Sequence, residues 1–278
     1  MGETEMNHRF REFGTVLILI AVINQGSLWA GEPAAPGKTK GLSNPFFAYS
    51  VGVSGQVLRD LGYTPVRTLY MGIKLDQKPS YGPDVKNRIR RLSGTNAVVW
   101  LTVLGNRANV KESDAKAAAA LRELADVAAE SKLKVSIYPH AGFYVATARE
   151  ALRVVKQVDR KNLGVTLNLC HELMAGNGDE MPQIIEEVAS RLSVVTINGA
   201  DHKKKGQKMG WDRLIQPLGQ GDFDVYGHLK RLKAVGYDGP IGLQCYGLKG
   251  DPVEHLKQSM KAWKAYCARL ASSRGASQ

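Results

Sequence analysis

The chain has 278 residues, 44% of them hydrophobic and 23% charged, which is a globular composition long enough for one barrel or two small domains. Its formal net charge of +12 favours anionic partners such as nucleic acid, phosphorylated ligands, acidic glycans or membrane surfaces, without selecting among them. The three cysteines, Cys170, Cys245 and Cys267, exclude a disulfide scaffold and a CxxC zinc site, and we expect them to be small buried apolar residues.

The N-terminal region has the pattern of a secretory signal. Residues 14–23, "GTVLILIAVI", are too few to span a bilayer, which takes roughly twenty residues, but they match a signal h-region with cleavage after Ala30. A start at Met6 would give this signal a basic n-region. We therefore expect residues 1–30 to be removed and the protein to be exported to the periplasm or the extracellular space. A retained amphiphilic anchor and a core helix are the alternatives.

After a flexible linker at 31–43, short apolar runs alternate with helical patterns. The predicted strands are 45–51, 66–71, 97–104, 133–139, 163–169, 192–198, 213–219 and 241–246. The clearest predicted helices are 114–131, 145–159, 223–236 and 251–270, the last with Asp251 as N-cap and Pro252 at its first position. Eight such units predict an α/β fold, a single (β/α)8 TIM barrel over 44–270, followed by a disordered tail at 271–278.

Polar residues end or follow four of the buried runs of this pattern. They are Tyr138 and His140, then Asn168 and His171, then Asn198, Asp201 and His202, and finally Gln244. Active sites of such barrels lie at the carboxyl ends of the strands, so we expect these side chains to face one mouth. A loop rich in lysine, which includes Lys203, Lys204 and Trp211, follows the third of these runs.

Two segments resemble the sugar phosphate isomerase/epimerase family of xylose isomerase-like barrels. "NLGVTLNLCH" (162–171) resembles the family strand end GxxxDxxH, and "LGQGDFDVYGHLKRLKAVGYDGPIGLQCYG" (218–247) resembles the family's closing unit. The resemblance covers roughly residues 44–270. It implies a TIM barrel that acts as an isomerase, epimerase or lyase of carbohydrates.

The resemblance also implies a divalent cation held by Glu, Asp, His and Glu. Carried over position by position, these ligands fall on Tyr138, Asn168, Thr196 and Gln244. All four side chains are uncharged, so we expect no resident cofactor and at most a weakly held divalent ion. A replacement metal site formed by His140, His171 and Glu172 is an alternative.

As an enzyme, the protein would move a proton next to a carbonyl of a carbohydrate or sugar phosphate, without the family's usual metal. The candidate catalytic residues are His140 and His171, because an imidazole with its ordinary pKa of about 6.5 suits proton transfer near neutral pH. Asp201 is a further candidate, because the resemblance implies an acidic residue near its position. The predicted substrate-binding residues are Tyr138, Asn168, Asn198, His202, Lys203, Lys204, Trp211 and Gln244.

The alternative function is a non-catalytic carbohydrate-binding barrel, in which Trp211 stacks on a sugar ring. A third function, a metal-dependent endonuclease, is disfavoured because the phosphoryl-transfer metals would have no ligands. We therefore expect a small carbohydrate or sugar phosphate as partner, no nucleic acid, and no membrane contact after cleavage of the signal.

Overall fold

The computed structural model describes residues 42–272. The predicted signal peptide, the predicted linker up to residue 41 and the predicted tail from residue 273 lie outside the described residues, and they stay predictions. The last helix continues through Ser272, two residues beyond its predicted end.

Seven parallel strands form one curved sheet at the centre of the described fold. The strands are β1 Phe46–Tyr49, β2 Thr68–Lys74, β3 Val98–Leu104, β4 Lys134–Ile137, β5 Leu163–Asn168, β6 Leu192–Ile197 and β7 Ile241–Gln244. They are arranged in the order β1-β7-β6-β5-β4-β3-β2, and every neighbouring pair is parallel. No ladder joins β1 to β2 within residues 42–272. The barrel fold is confirmed, with the sheet open between these two strands.

The strand predicted at 213–219 is wrong. This segment begins in a short helix, and its one sheet-like contact is an isolated antiparallel bridge between Gln216 and Gly199. Pro217 has no backbone N–H to give to a ladder. Since β6 pairs directly with β7, a strand between them has no place to pair. A side chain at Gly199 would come within 2.1 Å of the Pro217 carbonyl oxygen, so glycine is required where this loop crosses the end of β6.

Helices follow the strands and cover the outer face of the sheet. They are α1 Gly55–Asp60, α2 Val85–Arg90, α3 Val110–Glu130, α4 Ala148–Val158, α5 Leu169–Ala175, α6 Met181–Val188, α7 Trp211–Leu214, α8 Val225–Ala234 and α9 Pro252–Ser272, with a 3-10 turn at Ala189–Arg191. The predicted start of α9 is confirmed, because Asp251 Oδ1 accepts the Val253 N–H at 2.8 Å. None of the helices in the described part has the length and apolarity needed to span a bilayer.

Alternation along the strands separates two apolar clusters. The outward side chains of β3, Val99, Leu101 and Val103, belong to the large cluster packed under the helices. The inward Trp100 belongs to a small second cluster inside the curve of the sheet. The other members of this interior cluster are Phe47, Tyr49, Tyr138 and Val194. The inside of the sheet is therefore largely aromatic below the mouth.

One buried histidine lies among the outer helices, away from the strand ends. His228 of α8 is 5% exposed, and neither of its ring nitrogens has a hydrogen-bond partner among the described residues. Its ring lies edge-on to Phe223, with centroids 6.2 Å apart. Burial lowers the pKa of His228 to about 4.

We expect His228→Leu to make the protein less sensitive to acid. The unfolded chain binds a proton at this histidine near pH 6.5, and the folded chain binds it only near pH 4, so stability falls as the pH drops between those values. The residue accounts for about 2 kcal/mol of the loss in unfolding free energy between pH 7 and pH 5. Urea denaturation of both proteins at the two pH values measures this difference. Identical pH dependence would contradict the prediction.

Candidate active site

Five uncharged side chains meet at the carboxyl ends of the strands. Strand pairing brings Tyr49 of β1 beside Gln244 of β7, and Asn168 of β5 beside Thr196 of β6. The Tyr138 phenol reaches across to the first pair. Its oxygen lies 3.3 Å from the Tyr49 hydroxyl, and Gln244 Nε2 donates to it at 3.3 Å. We call these five residues the neutral layer.

Burial keeps the two phenols of the neutral layer protonated. The pKa values of Tyr49 and Tyr138 are both raised well above the ordinary value, chiefly by desolvation. Gln244 also has its carbonyl oxygen occupied, because Oε1 accepts the Tyr246 N–H at 3.0 Å. The layer therefore carries no formal charge at neutral pH, and Tyr49, Tyr138 and Gln244 are bonded to one another.

Two polar groups of the neutral layer retain unused hydrogen-bonding capacity. Asn168 is fully buried, and its Oδ1 accepts the Cys170 thiol at 3.3 Å, while its Nδ2 has no hydrogen-bond partner among the described residues. The buried Thr196 hydroxyl likewise makes no hydrogen bond of normal geometry, although it lies near enough to the Tyr49 phenol to lower that group's pKa. Buried donors in proteins are rarely left unpaired.

Two imidazoles lie beside this layer, and the ring of His171 meets Tyr138 edge-on with centroids 5.9 Å apart. The rings of His140 and His171 have centroids 4.2 Å apart, and each residue is 4% exposed. The backbone of Ala141 contacts both rings. Its N–H donates to His171 Nδ1 at 3.1 Å, and its carbonyl oxygen lies 2.8 Å from His140 Nδ1. We call these two residues the His pair.

The contacts with Ala141 assign opposite tautomers to the His pair. His171 Nδ1 accepts a hydrogen bond, so in the neutral ring the proton is on Nε2. His140 Nδ1 faces a carbonyl oxygen and must donate, so its lone pair is on Nε2. One ring therefore presents an N–H donor, and the other carries a basic nitrogen.

The ordinary histidine pKa expected from the sequence is wrong for both rings. Burial lowers the pKa of His140 to about 4. Burial, and secondarily the neighbouring His140, holds the pKa of His171 well below its ordinary value. Both imidazoles are therefore neutral at neutral pH, because the pocket that contains them disfavours the charged form.

Aromatic rings surround the His pair. Phe143 stacks on His140 with centroids 4.2 Å apart, and Trp211 meets His171 edge-on at 5.1 Å. The structure thus brings Trp211 to the mouth, as the sequence predicted. The loop that carries it returns across Gly199 before α8 begins.

Glu172 does not join the His pair, so the proposed three-ligand metal site is wrong. Its Oε1 accepts the N–H of Ala148, the first residue of α4, at 2.6 Å. Its Oε2 accepts a hydrogen bond from Asn177 Nδ2 at 2.7 Å. Burial raises the pKa of Glu172 to about 7. Within residues 42–272 no three His, Cys, Asp or Glu side chains are placed to hold a metal together.

Other predicted site residues bond to the loops around the mouth. Asp201 forms an ion pair with Arg213 and accepts Gln216 Nε2 at 3.0 Å. The buried Asn198 donates through Nδ2 to the carbonyl oxygens of Gly199 and Leu214, at 2.6 and 2.7 Å. These contacts hold the return loop against β6, which is a positioning role.

The lysine-rich loop after β6 has some side chains bonded within the protein and others exposed to solvent. Lys203 is 7% exposed, and its ammonium donates to the Met174 carbonyl oxygen at 2.9 Å, near the end of α5. The His202 ring contacts the Asp179 carboxylate at 2.9 Å. Lys204 is exposed. Of these three predicted binding residues, Lys204 alone presents an exposed cation.

Two elements of the site were missed by sequence reasoning. Tyr49 was assigned only to a strand, although the alternation of Phe47 and Tyr49 on one face of β1 was a usable signal. Ala141 acts through its backbone, so its side chain offered no signal at all.

We expect nitrogen-15 NMR at pH 7 to detect opposite tautomers in the His pair, with the proton on Nε2 of His171 and on Nδ1 of His140. The reason is that Ala141 donates to one ring and accepts from the other. Spectra of His140→Gln and His171→Gln assign the two signals. The same tautomer in both rings, or an imidazolium pattern at pH 6, would show the arrangement to be wrong.

Comparison with known proteins places the chain in a family. The family model of the xylose isomerase-like TIM barrel matches residues 87–266. Inosose isomerase of Bacillus subtilis is 25% identical over 156 residues, which are 55% of this chain and 55% of that protein. The 3-dehydroshikimate dehydratase of Pseudomonas aeruginosa is 32% identical over 129 residues, 45% of this chain and 20% of that protein. The chain thus spans about half or less of these relatives.

A solved structure agrees at the level of the fold. The 3-keto-D-glucoside 4-epimerase from E. coli superposes with a TM-score of 0.63 at 14% identity, covering 81% of this chain and all of the other. The family model covers well over half of the sequence and includes strands β3 to β7. Three residues of the neutral layer lie on β5, β6 and β7, and the His pair follows β4 and β5. The chain belongs to the xylose isomerase-like TIM barrel family.

Proposed function

We propose that this protein is a carbohydrate isomerase or epimerase that moves a proton at a carbon next to a carbonyl, without the family's usual divalent metal. The observation that carries the proposal is the His pair, whose two neutral rings are held in opposite tautomers by Ala141. Proton abstraction beside a carbonyl needs a base for the carbon and a donor for the oxygen. The pair supplies one of each.

In this mechanism His140 is the base and His171 is the donor. His140 Nε2 takes the proton from the carbon, while His171 Nε2–H donates a hydrogen bond to a substrate oxygen. A neutral imidazole can polarise a carbonyl when its environment lowers its pKa, because its remaining N–H then stays in place across the working pH range. His140, with a pKa of about 4, is unprotonated at neutral pH and ready to accept a proton. It holds that proton weakly, so the reaction depends on stabilisation of the oxygen.

The relatives support this class of substrate. Their names describe isomerisation of an inosose, epimerisation of a 3-keto-D-glucoside and dehydration of a dehydroshikimate. These activities belong to the named relatives. Their substrates are all small oxygenated rings, which agrees with a mouth lined by uncharged hydrogen-bonding groups. Trp211 beside His171 offers an aromatic face for the apolar side of such a ring.

The residues at the resemblance-derived metal positions do not fit a tightly held divalent ion. Hard divalent cations take charged oxygen ligands, whereas this set offers a phenol, two amides and a hydroxyl. The oxygen of Asn168 already accepts the Cys170 thiol, and Tyr138 and Gln244 bond to each other. We therefore assign the polarising role to the protein's own donors.

A carbohydrate-binding barrel without turnover is the second candidate. The observation that favours it is the low basicity of both buried imidazoles, since a weak base removes a carbon-bound proton slowly. The same pocket would then bind a sugar through hydrogen bonds and Trp211 alone. Loss of the carbon-bound hydrogen to deuterated solvent separates the two functions, because binding by itself does not exchange it.

We expect His140→Gln and His171→Gln each to lower kcat for a keto sugar by about 10²–10⁴-fold, the usual contribution of general acid–base catalysis. An inosose and a methyl 3-keto-glucoside are the first substrates to test, with products and deuterium exchange followed by proton NMR. Activity should stay level from pH 8 to pH 6 and fall as the pH approaches 4, where His140 becomes protonated.

The matched control is His255→Gln on α9, whose ring contacts the Lys249 carbonyl outside the His pair. It should keep wild-type activity. Wild-type turnover that survives both His-pair substitutions would refute the assignment. Binding without deuterium exchange in the wild type would favour the carbohydrate-binding barrel.

We expect the purified protein, after extensive dialysis, to contain well under one Mn, Co, Mg or Zn per chain, because the neutral layer offers no carboxylate. Elemental analysis measures this directly. Asn168→Asp restores one negative charge at the mouth and should raise the affinity for Mn²⁺ measurably in a calorimetric titration. Stoichiometric metal in the dialysed wild type would contradict the proposal of metal independence.

A further inference from the structure

The neutral layer and the nearby indole ring of Trp100 contain hydrogen-bond donors that have no partner of normal geometry among the described residues. Asn168 Nδ2 on β5, Thr196 Oγ1 on β6 and Trp100 Nε1 on β3 are buried polar atoms without a hydrogen-bond partner of normal geometry. All three residues are on the inner face of the curved sheet. Trp100 packs edge-on against Tyr49 and Tyr138, with ring centroids 4.9 and 5.1 Å apart. The donors therefore belong to one interior region, and Tyr138, which packs on Trp100, also meets the His171 ring edge-on with centroids 5.9 Å apart.

The contact with Cys170 sets the orientation of the Asn168 amide. Because its Oδ1 accepts the Cys170 thiol, the amide presents its two N–H groups on the other side. Burial raises the pKa of the Cys170 thiol to about 12, so the thiol keeps its proton and remains a donor to this oxygen. The amide therefore lacks an acceptor, which is the kind of group a substrate oxygen supplies.

We propose that Asn168 Nδ2 and Thr196 Oγ1 donate hydrogen bonds to the carbonyl oxygen of a keto sugar; this rests on the function proposed above and names its substrate class. When His140 Nε2 takes the proton from the adjacent carbon, the C–H electron pair forms a carbon–carbon double bond. The carbonyl π pair moves onto the oxygen, which becomes an oxyanion that accepts from the two donors as well as from His171 Nε2–H. His140 then returns the proton to the former carbonyl carbon on the same face, while the neighbouring hydroxyl hydrogen passes to the oxyanion. The carbonyl thereby moves by one carbon, and no oxidant or reductant is consumed.

The absence of charge in the layer selects a carbonyl oxygen over a phosphate. No Lys or Arg belongs to the neutral layer, and the buried Lys203 ammonium donates to the Met174 carbonyl oxygen. Neutral, preoriented donors in a buried site act most strongly on an oxygen that gains negative charge only during the reaction. A phosphate is charged in the ground state and would have to leave water for a region without a cation. The carbonyl end of the sugar, and not a phosphate, thus binds at the neutral layer.

The test uses the full-length protein and two probes that carry a ring ketone labelled with carbon-13, an inosose and a methyl 3-keto-glucoside. Infrared difference spectra record the carbonyl band of the bound probe, and calorimetry compares each ketone with its polyol, inositol or methyl glucoside. We expect the band to shift to lower wavenumber on binding. We also expect the ketones to bind at least about tenfold more tightly than the polyols.

Two substitutions remove the donors with little change of shape. Asn168→Asp keeps an oxygen for the Cys170 thiol and loses the N–H groups, and Thr196→Val loses the hydroxyl. Each should move the carbonyl band back towards its free position and lower kcat/KM by about 10²–10³-fold, the usual effect of removing one oxyanion donor. Assays with Asn168→Asp contain EDTA, so that a recruited metal does not replace the lost donor.

The matched control is Thr166→Val, one step deeper on β5, where the hydroxyl is paired with Ser136 Oγ at 2.7 Å. It should leave both the band and kcat/KM unchanged. If both donor variants keep wild-type kinetics and the bound carbonyl band stays at its wild-type position in both, this inference is overturned and the proposed function stands. A shifted band that both variants lose, without deuterium exchange in the wild type, would support the carbonyl site and refute the isomerase function.

The wild type alone also tests the inference, even if a variant does not fold by circular dichroism. Equal affinity for ketone and polyol would overturn it, and so would failure of both ketones to bind at millimolar concentration.

Discussion

The parallel pairing of seven strands is the constraint on which the rest of the structure depends. Each strand must be followed by a crossover before the next can pair in the same direction, so all seven carboxyl ends meet at one edge. The curve of the sheet then turns alternate side chains inward. Asn168 and Thr196 are far apart in the chain, yet they are register partners for this reason. The neutral layer and the His pair are consequences of that pairing.

Burial decides the chemistry of the mouth once pairing has assembled it. A desolvated pocket disfavours charge, so it lowers the pKa of the histidines and raises that of the phenols and of Glu172. Catalysis in such a pocket must rely on neutral donors and acceptors with set directions. The backbone of Ala141 provides those directions for both imidazoles. The site therefore relies on the directions of neutral hydrogen-bonding groups, and not on formally charged side chains.

The loop after β6 shows how positioning residues differ from residues of the mouth. Asp201, Asn198 and Lys203 looked like site residues because they follow a strand end, but their polar atoms bond to neighbouring backbone and loop groups. Those bonds hold the return loop that carries Trp211 to His171. A polar residue at a strand end can thus hold a loop in place instead of contacting a ligand, and sequence position does not distinguish the two roles.

The sequence by itself determined the fold class and the identity of most strands and helices, because periods of two and 3.6 residues are local properties of the chain. It also placed His140, Asn168, His171 and Gln244 at strand ends. It failed at 213–219, where an apolar run resembles a strand but Pro217 and the direct pairing of β6 with β7 leave it without a partner. The tertiary structure alone decided that Glu172 turns to the start of α4, that Tyr49 enters the neutral layer, and that the His pair has opposite tautomers. The physical reason is that each of these depends on a group distant in sequence, and a hydrogen bond between distant groups is set by where strand pairing and burial bring them.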